Sequence, residues 1–483
     1  IKIALDNNTF DVKLVYKVRI DSDFPFSMCN VFVDAKKGKV IKKINLVAHA
    51  DVAGTASTLY SGNRSITCDS YTGGYRLRES GRNIRTYNAQ NSYYNDISGA
   101  IDFINSSTNW DDGPMLNELV IASVSQNWWY NFLVDPNPDL YIKIKDGFNQ
   151  VVYQSDPIMN SHPPIIIPSG VLSLINTPYT IEIWDYDFVG SDDFGGSYVF
   201  PTSPGMHNLI FNNNSIDLDV ILGANPALDV HWGMEKTYDF FLNIFARDSY
   251  DNNGGVIINL VNPTNMQNGN NRNNASAHGP PYNIMSYGLG DGYYKNPFVD
   301  LEIQGHEFTH LIASNTGANG VLDYEGESGA LNESFADIMG ICIKFYTGLN
   351  YSWNMSSNIY TINSNCTYMR SLSDPHSSCG SQPSTYPVNP SVGNHQYPPY
   401  WRGITGNPTG GAGGNDWDGV HTNSGVQNKW FYLLCEGDTG TNDLGNFYNV
   451  TGIGVSDARQ IAYRNLTTQM LQKVYQNIWK KKV

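Results

Sequence analysis

Hydrophobic and polar residues alternate with a period of two near the front of the chain. The pattern runs through Leu14-Val15-Tyr16-Lys17-Val18-Arg19 and Val31-Phe32-Val33-Asp34-Ala35-Lys36-Lys37-Gly38-Lys39-Val40. Side chains two apart share one face of a strand, so these segments predict a hairpin closed by a glycine-containing turn. The alternation returns in five short runs, 119–123, 140–144, 151–154, 180–184 and 216–221. Short strands at that density predict an all-β sandwich across residues 113–224. Beyond residue 300 the spacing becomes helical, around 306–310, 330–342, 435 and 458–466. No apolar run reaches the roughly 18 residues needed to span a bilayer.

The first helical segment carries His306-Glu307-Phe308-Thr309-His310. On a helix the two histidines fall at i and i+4, so both imidazoles leave one face and can hold one metal ion, with Glu307 beside it. With 10 His in 483 residues and a similar number of Glu, such a match arises by chance only about 0.004 times per chain. Glu333 lies in the second helical segment and supplies a third ligand, leaving a fourth position to water, as in catalytic and not structural zinc sites. Asp337, four residues on and on the same face, is suited to accept a hydrogen bond from the outer nitrogen of a ligating histidine.

At this point the sequence closely resembles the thermolysin-like metallopeptidases. Asp416-Trp417-Asp418-Gly419-Val420-His421-Thr422-Asn423-Ser424-Gly425 is similar to the family segment that carries a second active-site histidine and its orienting acid, which implies those roles for His421 and Asp416. The resemblance further implies that Tyr324 assists His421 at the oxyanion, that Arg370 grips a substrate carbonyl, and that Asn274 and Ala275 bind the peptide as an added strand. A metzincin would carry a third histidine where Thr316 stands, and no Gly-x-Met-Glu-Asn exopeptidase segment is found. The fold implied is α+β and two-lobed: a β-rich N-terminal lobe, residues 51–112 plus 225–312 with the zinc helix, and a mainly helical C-terminal lobe, 313–483. Residues 1–50 resemble the end of a propeptide, an inhibitor and chaperone of its own enzyme, with maturation near Ala48 to Gly54. The implied activity is a secreted zinc endopeptidase that cleaves proteins before a bulky hydrophobic residue. The opposing reading is an inactive adhesion or binding protein that keeps the fold; intact Glu307, Tyr324 and His421 weigh against it.

Residues 113–224 interrupt the N-terminal lobe. The runs around Asp139-Leu140-Tyr141 and Ile183-Trp184-Asp185-Tyr186-Asp187, then Asp193-Phe194-Gly195-Gly196, resemble the synaptotagmin-type C-two sandwich. That likeness implies calcium on Asp139, Asp185, Asp187 and Asp193, with Asp135 in addition, and a calcium-dependent surface ligand. Calcium takes six to eight oxygens, which clustered aspartates on loops provide. Elsewhere the family pattern is broken. Of the acids that build its double calcium site only Glu302 remains; Lys344 stands at another of those positions and the stretch 350–357 is neutral. The double site is therefore expected to be absent. The usual Asn-Ala-aromatic-Trp run reads Asn274-Ala275-Ser276-Ala277, and extra residues fall between Ser314 and Gly320. The C-terminus reads as shorter than the family's helical lobe.

Composition narrows the partners. A net charge of −15 excludes nucleic acid, which needs clustered Lys and Arg. The low charged fraction, 16%, with abundant Gly, Asn, Ser and Tyr fits export. Of six cysteines, Cys366 and Cys379 flank a Ser- and Asn-rich loop and suit a bridge. Cys342 and Cys435 read as small buried apolar residues. Cys29 and Cys68 lie on either side of the maturation region, so a bridge between them would tether the pro-segment.

Overall fold

The computed structural model describes residues 2–5, 12–23, 26–45, 50–89, 92–110, 115–124, 138–162, 165–167, 172–173, 178–187, 190–200, 205–211, 216–223, 225–266, 272–291, 294–317, 320–361, 363–389, 391, 400–410 and 414–469. Asp135 and the C-terminal residues 470–483 therefore lie outside the described residues. The front of the chain is an antiparallel sheet of Lys2–Leu5, Val12–Asp23, Phe26–Asp34 and Val40–Asn45, in chain order. The run 31–40 is not one strand. It turns at 35–39, where Asp34 Oδ1 accepts from the backbone N–H of Lys36 and Lys37 and Gly38 sits at φ 65°, a left-handed conformation that glycine adopts without strain.

The described residues between 115 and 223 form two packed sheets, as the alternation predicts. One orders Ile165–Ile167, Met115–Val124, Ile216–Gly223 and Gly205–Phe211; the other orders Val151–Gln154, Leu140–Lys145, Tyr179–Asp185 and Asp193–Phe200. Their inward positions, including Leu119, Ile121, Ile142, Ile144, Ile181, Ile183, Leu218 and Val220, make a core separate from the main one. The outward residues Lys143, Lys145 and Glu182 alternate with them, as a half-buried sheet requires.

The rest of the β-rich part has two sheets. A five-stranded sheet runs Ile104–Asn105, Gly74–Arg76, Gly62–Tyr71, Ala50–Thr58 and Asn109–Trp110. A mixed sheet runs Ile101–Asp102, Ile84–Asn88, Ile257–Val261, Ile284–Tyr287 and, at its edge, Ala275–His278, with Arg78–Glu79 pairing off Ile84–Asn88. Among the described residues there are six α-helices: α1 (Pro226–Phe245), α2 (Leu301–Ser314), α3 (Gly326–Thr347), α4 (Asp416–Asn423), α5 (Gly425–Glu436) and α6 (Val455–Arg464). One core joins α1, α2, α3, α5 and α6 to both of these sheets through Phe240, Phe241, Phe308, Phe335, Ile338, Phe431 and Ala462. None of the described helices is long and apolar enough to cross a membrane.

Helix α1 buries charge as well as hydrocarbon. Glu235 accepts from the Thr67 N–H at 2.6 Å, and Arg82 bridges Glu79 and Asp239 at 2.7 Å each. Burial, reinforced by the Glu79 charge, pushes Glu235 up to about 8; burial pushes Glu79 up to about 7. Both values lie above those of the unfolded chain. The stabilising contribution is thus complete below an unfolded carboxyl pKa of about 4.3 and is lost as pH rises through 7 to 8. The unfolding midpoint is expected to fall between pH 5 and pH 8, and Glu235→Gln to flatten that decline. Thermal scans at both pH values check it, and an equally steep decline in the variant would remove Glu235 as the cause.

Cys366 and Cys379 form a disulfide, and Cys342 and Cys435 are buried thiols. Cys68 is also a free, buried thiol, so the bridge considered for Cys29 and Cys68 is not made. Cys68 faces inward against its own sheet, where its Sγ contacts the Val52 carbonyl.

Candidate active site

Helices α2 and α3 cross at unusually short range because glycines face each other there. A Cβ on Gly305 would lie 2.5 Å from Ile343 Cδ1, and one on Gly340 would lie 2.5 Å from the Glu302 carbonyl. Asp300 caps α2 through the Leu301 N–H, and Gln304 Nε2 ties that helix to the Asp229 and Val299 carbonyls. The approach brings Glu333 against both histidines. His306 Nε2 and His310 Nε2 each lie 3.4 Å from Glu333 and 3.0 Å from each other. Among the described residues His306, His310 and Glu333 alone form a group of three or more ligand-type side chains, their ligand atoms all within 4.8 Å.

The residues fit a metal ion. Both outer nitrogens are occupied: His306 Nδ1 donates to Asp337 Oδ1 at 2.9 Å and His310 Nδ1 to Asn332 Oδ1 at 2.8 Å. That leaves the two Nε2 atoms as lone-pair donors turned toward one point. Glu333 Oε2 is buried and has no hydrogen-bond partner, an arrangement that costs stability unless something satisfies it. Burial raises the Glu333 carboxyl, but the imidazoles of His421, His310 and His306 outweigh it and hold the group well below the usual range.

Around this group lies a cleft of about 1050 Å³. Glu307 lines it, almost wholly buried, and burial raises its carboxyl above the usual value. Tyr324 donates to Glu333 and lies 3.1 Å from His421 Nε2. His421 Nδ1 donates to Asp416 Oδ1 at 2.6 Å, and Asp416 Oδ2 accepts the His421 backbone N–H at 3.0 Å. The start of α4 is not helical: Asp416, Trp417, Asp418 and Gly419 have φ of 58°, 51°, 65° and 83°. Aspartate and glycine tolerate the left-handed region but tryptophan does so at a cost, and such strain collects at functional sites. Asn415 holds the turn by accepting from the Asp418 N–H.

Asn274 and Ala275 line the cleft at the start of the sheet's edge strand. Arg370 also lines it, but its guanidinium is anchored, with Nε and Nη2 at 2.9 and 2.8 Å from Asp337 Oδ1. Asp337 therefore serves His306 and Arg370 together, and Asn428 Nδ2 donates to its other oxygen at 2.9 Å. Asn332, Asn428 and Gln382, which donates to the His421 carbonyl at 2.6 Å, were not singled out from the sequence. Asn332 adjoins Glu333, but no spacing rule marks it.

The aspartates of the sandwich come near one another without closing on one point. They do reach one end of a sheet, where Leu140 pairs with Asp185 and Asp185 with Asp193. Burial and then the charges of Asp187, Asp139 and Asp193 raise Asp185 to about 6. Among the described residues, Asp139, Asp185, Asp187 and Asp193 do not form a group of three with ligand atoms as close as those of His306, His310 and Glu333. Asp139 Oδ1 accepts the Asn160 N–H and Asp185 Oδ1 the Asp139 N–H, at 2.6 and 2.7 Å.

Two family models match the chain. The thermolysin metallopeptidase catalytic domain covers residues 202–314 and the thermolysin metallopeptidase alpha-helical domain covers 320–481, together more than half of the sequence. The chain belongs to the thermolysin metallopeptidase family. It is 29% identical to a bacillolysin of Brevibacillus brevis over 81% of this chain and 74% of that protein. It is 32% identical to a thermolysin of a Bacillus species (strain EA1) over 62% of this chain and 48% of that protein. With a thermostable neutral protease of Geobacillus stearothermophilus it shares 34% identity over 73% and 58% of the two chains. The chain thus spans about half the length of most of these thermolysin-like relatives. A solved precursor of protealysin, a metalloproteinase from Serratia proteamaculans, superposes on 53% of this chain and 69% of its own at a TM-score of 0.38 and 22% identity.

Proposed function

We propose that the protein is an exported zinc-dependent endopeptidase that hydrolyses peptide bonds in proteins. The observation that carries this is the convergence of His306, His310 and the Glu333 carboxylate, whose Oε2 has no hydrogen-bond partner, beside Glu307, Tyr324 and His421. His306, His310 and Glu333 would hold one zinc ion, which when bound supplies Lewis acidity that polarises the scissile carbonyl and acidifies water. Glu307, outside the ligand group and raised by burial, takes the proton from the attacking water and passes it to the leaving amine. Tyr324 Oη and His421 Nε2 donate to the oxyanion as it forms, and Asp416, accepting from Nδ1, favours the doubly protonated imidazolium that has a proton on Nε2 to donate. The unpaired edge of Ala275–His278 offers backbone groups to an extended peptide, as edge strands do. Arg370, fixed by Asp337, receives a substrate carbonyl. Phe298, Ile303, Met355 and Met369 line an apolar part of the cleft suited to a bulky side chain after the scissile bond.

The sheet of residues 2–45 is read as the end of a pro-segment, followed by lobes of 51–112 with 225–312 and of 313–483, and by the sandwich 113–224 between them. Export is supported by the Cys366–Cys379 disulfide, a bond that persists in oxidising compartments.

A quenched peptide assayed with and without a chelator tests the reading. Activity that disappears with chelator and returns with zinc is expected; a chain inert under all conditions fits the inactive-binder alternative. His421→Ala should lower kcat about 100-fold or more while KM changes little, since one oxyanion donor is worth that much. A variant with unchanged kcat would take His421 out of the reaction.

A further inference from the structure

The edge strand Ala275–His278 ends on an aromatic cluster that the reaction as proposed does not use. His278 lies face to face with Tyr94, ring centroids 3.8 Å apart and planes within 12°. Tyr282 meets Tyr94 edge to face at 5.8 Å. Ser276 Oγ lies 2.9 Å from His278 Nε2 and fixes the rotation of the ring. His278 lines the cleft together with Ser276 and Ala277. Burial lowers the imidazole to about 4, so at neutral pH it offers an uncharged planar surface.

Its place along the cleft follows from α2. Gly279, next to His278, abuts Ser314, where an added Cβ would come within 2.8 Å of the Ser314 Cβ. Ser314 is one turn beyond His310, about 6 Å along the axis. Arg370 stands at the other end, reaching His306 through Asp337. A peptide extended along the edge strand advances about 3.3 Å per residue. About two residues therefore fit between the ligand group and His278, on the side away from Arg370.

We propose that His278, backed by Tyr94, is a specificity-determining residue that selects an aromatic side chain about two residues before the scissile bond. This rests on the edge-strand binding of peptide described above. A ring entering there stacks on a preformed, neutral π surface; a charged side chain finds no counter-charge on the imidazole and loses hydration.

The test uses zinc-loaded full chain and peptides carrying Phe or Ala at each of the three positions before the scissile bond. The parent should favour Phe at one of them by about three- to tenfold in kcat/KM, the worth of an aromatic pair, expressed in KM. His278→Ala should bring that ratio to about one, and His278→Phe, which keeps the plane, should restore it. A general structural role would instead lower both peptides equally. In parallel, binding of the same peptides to Glu307→Gln is read by fluorescence anisotropy, which requires no turnover. A Phe preference there that vanishes with His278→Ala supports the proposal even if hydrolysis is absent. A ratio unchanged by His278→Ala, or no preference in the parent, overturns it; binding of neither peptide overturns the edge-strand reading as well.

Discussion

Glu307→Gln is expected to keep about one bound zinc per chain and to lose peptidase activity by about a thousandfold, within the span of general acid–base contributions. The two outcomes separate because the ligand group does not include Glu307. Its carboxylate is buried at the cleft wall one residue from His306, and burial raises it above the usual carboxyl value. Glutamine has the same shape and keeps the packing, but it cannot take a proton from water. Metal content by atomic absorption and turnover of casein check the prediction together. Ordinary casein cleavage by the variant would show that the proton moves elsewhere. Loss of zinc together with activity would instead make Glu307 a ligand.

The parts of this site that could be read from the chain are those whose partners are near in sequence. His306 and His310 are one turn apart on α2, and Asp337 is one turn from Glu333 on α3, so helical periodicity alone places them on common faces. The sandwich was legible for the same reason, since strict alternation in 140–144 and 180–184 needs no tertiary information. Periodicity did not find Asp193–Phe200, where Gly195 and Gly196 interrupt the pattern. Nor did it separate strand from turn within 31–40. Tyr324, His421 and Arg370 came through family likeness, because nothing local ties residue 421 to residue 333. Asn332, Asn428 and Gln382 were missed because an amide supporting a catalytic group looks like any other polar residue until its partner is known. The sandwich aspartates show the converse limit. Their spacing puts them at one sheet end, but it does not say where the carboxylates point, and two of them are held by backbone N–H groups.

Removing Lys344 is expected to cause the largest loss of stability of any single change considered for this chain. Its ammonium lies 2.8 Å from Glu302 Oε1 and donates to the Asn354 carbonyl at 2.6 Å, with both side chains about 6% exposed. Asp300 is buried beside them, and burial followed by the Glu302 charge raises its carboxyl well above the usual value. The chain thus places its own cation, Lys344, against these buried acids. Lys344→Met leaves Glu302 buried without a counter-charge next to another acid, a change that costs about 3–5 kcal/mol. Adding Glu302→Gln should recover most of that loss, because the pair would then be replaced by neutral groups of similar volume. Calcium added to the metal-free parent should leave the unfolding midpoint unchanged, since the ammonium occupies the region between Glu302 and Asn354. Denaturant unfolding of the parent, the single variant and the double variant decides the question. A cost below about 1 kcal/mol for Lys344→Met, the range of an exposed ion pair, would mean that the pair is solvated. A midpoint that rises with calcium in the parent but not in Glu302→Gln would mean that Lys344 turns outward and the acids bind the ion.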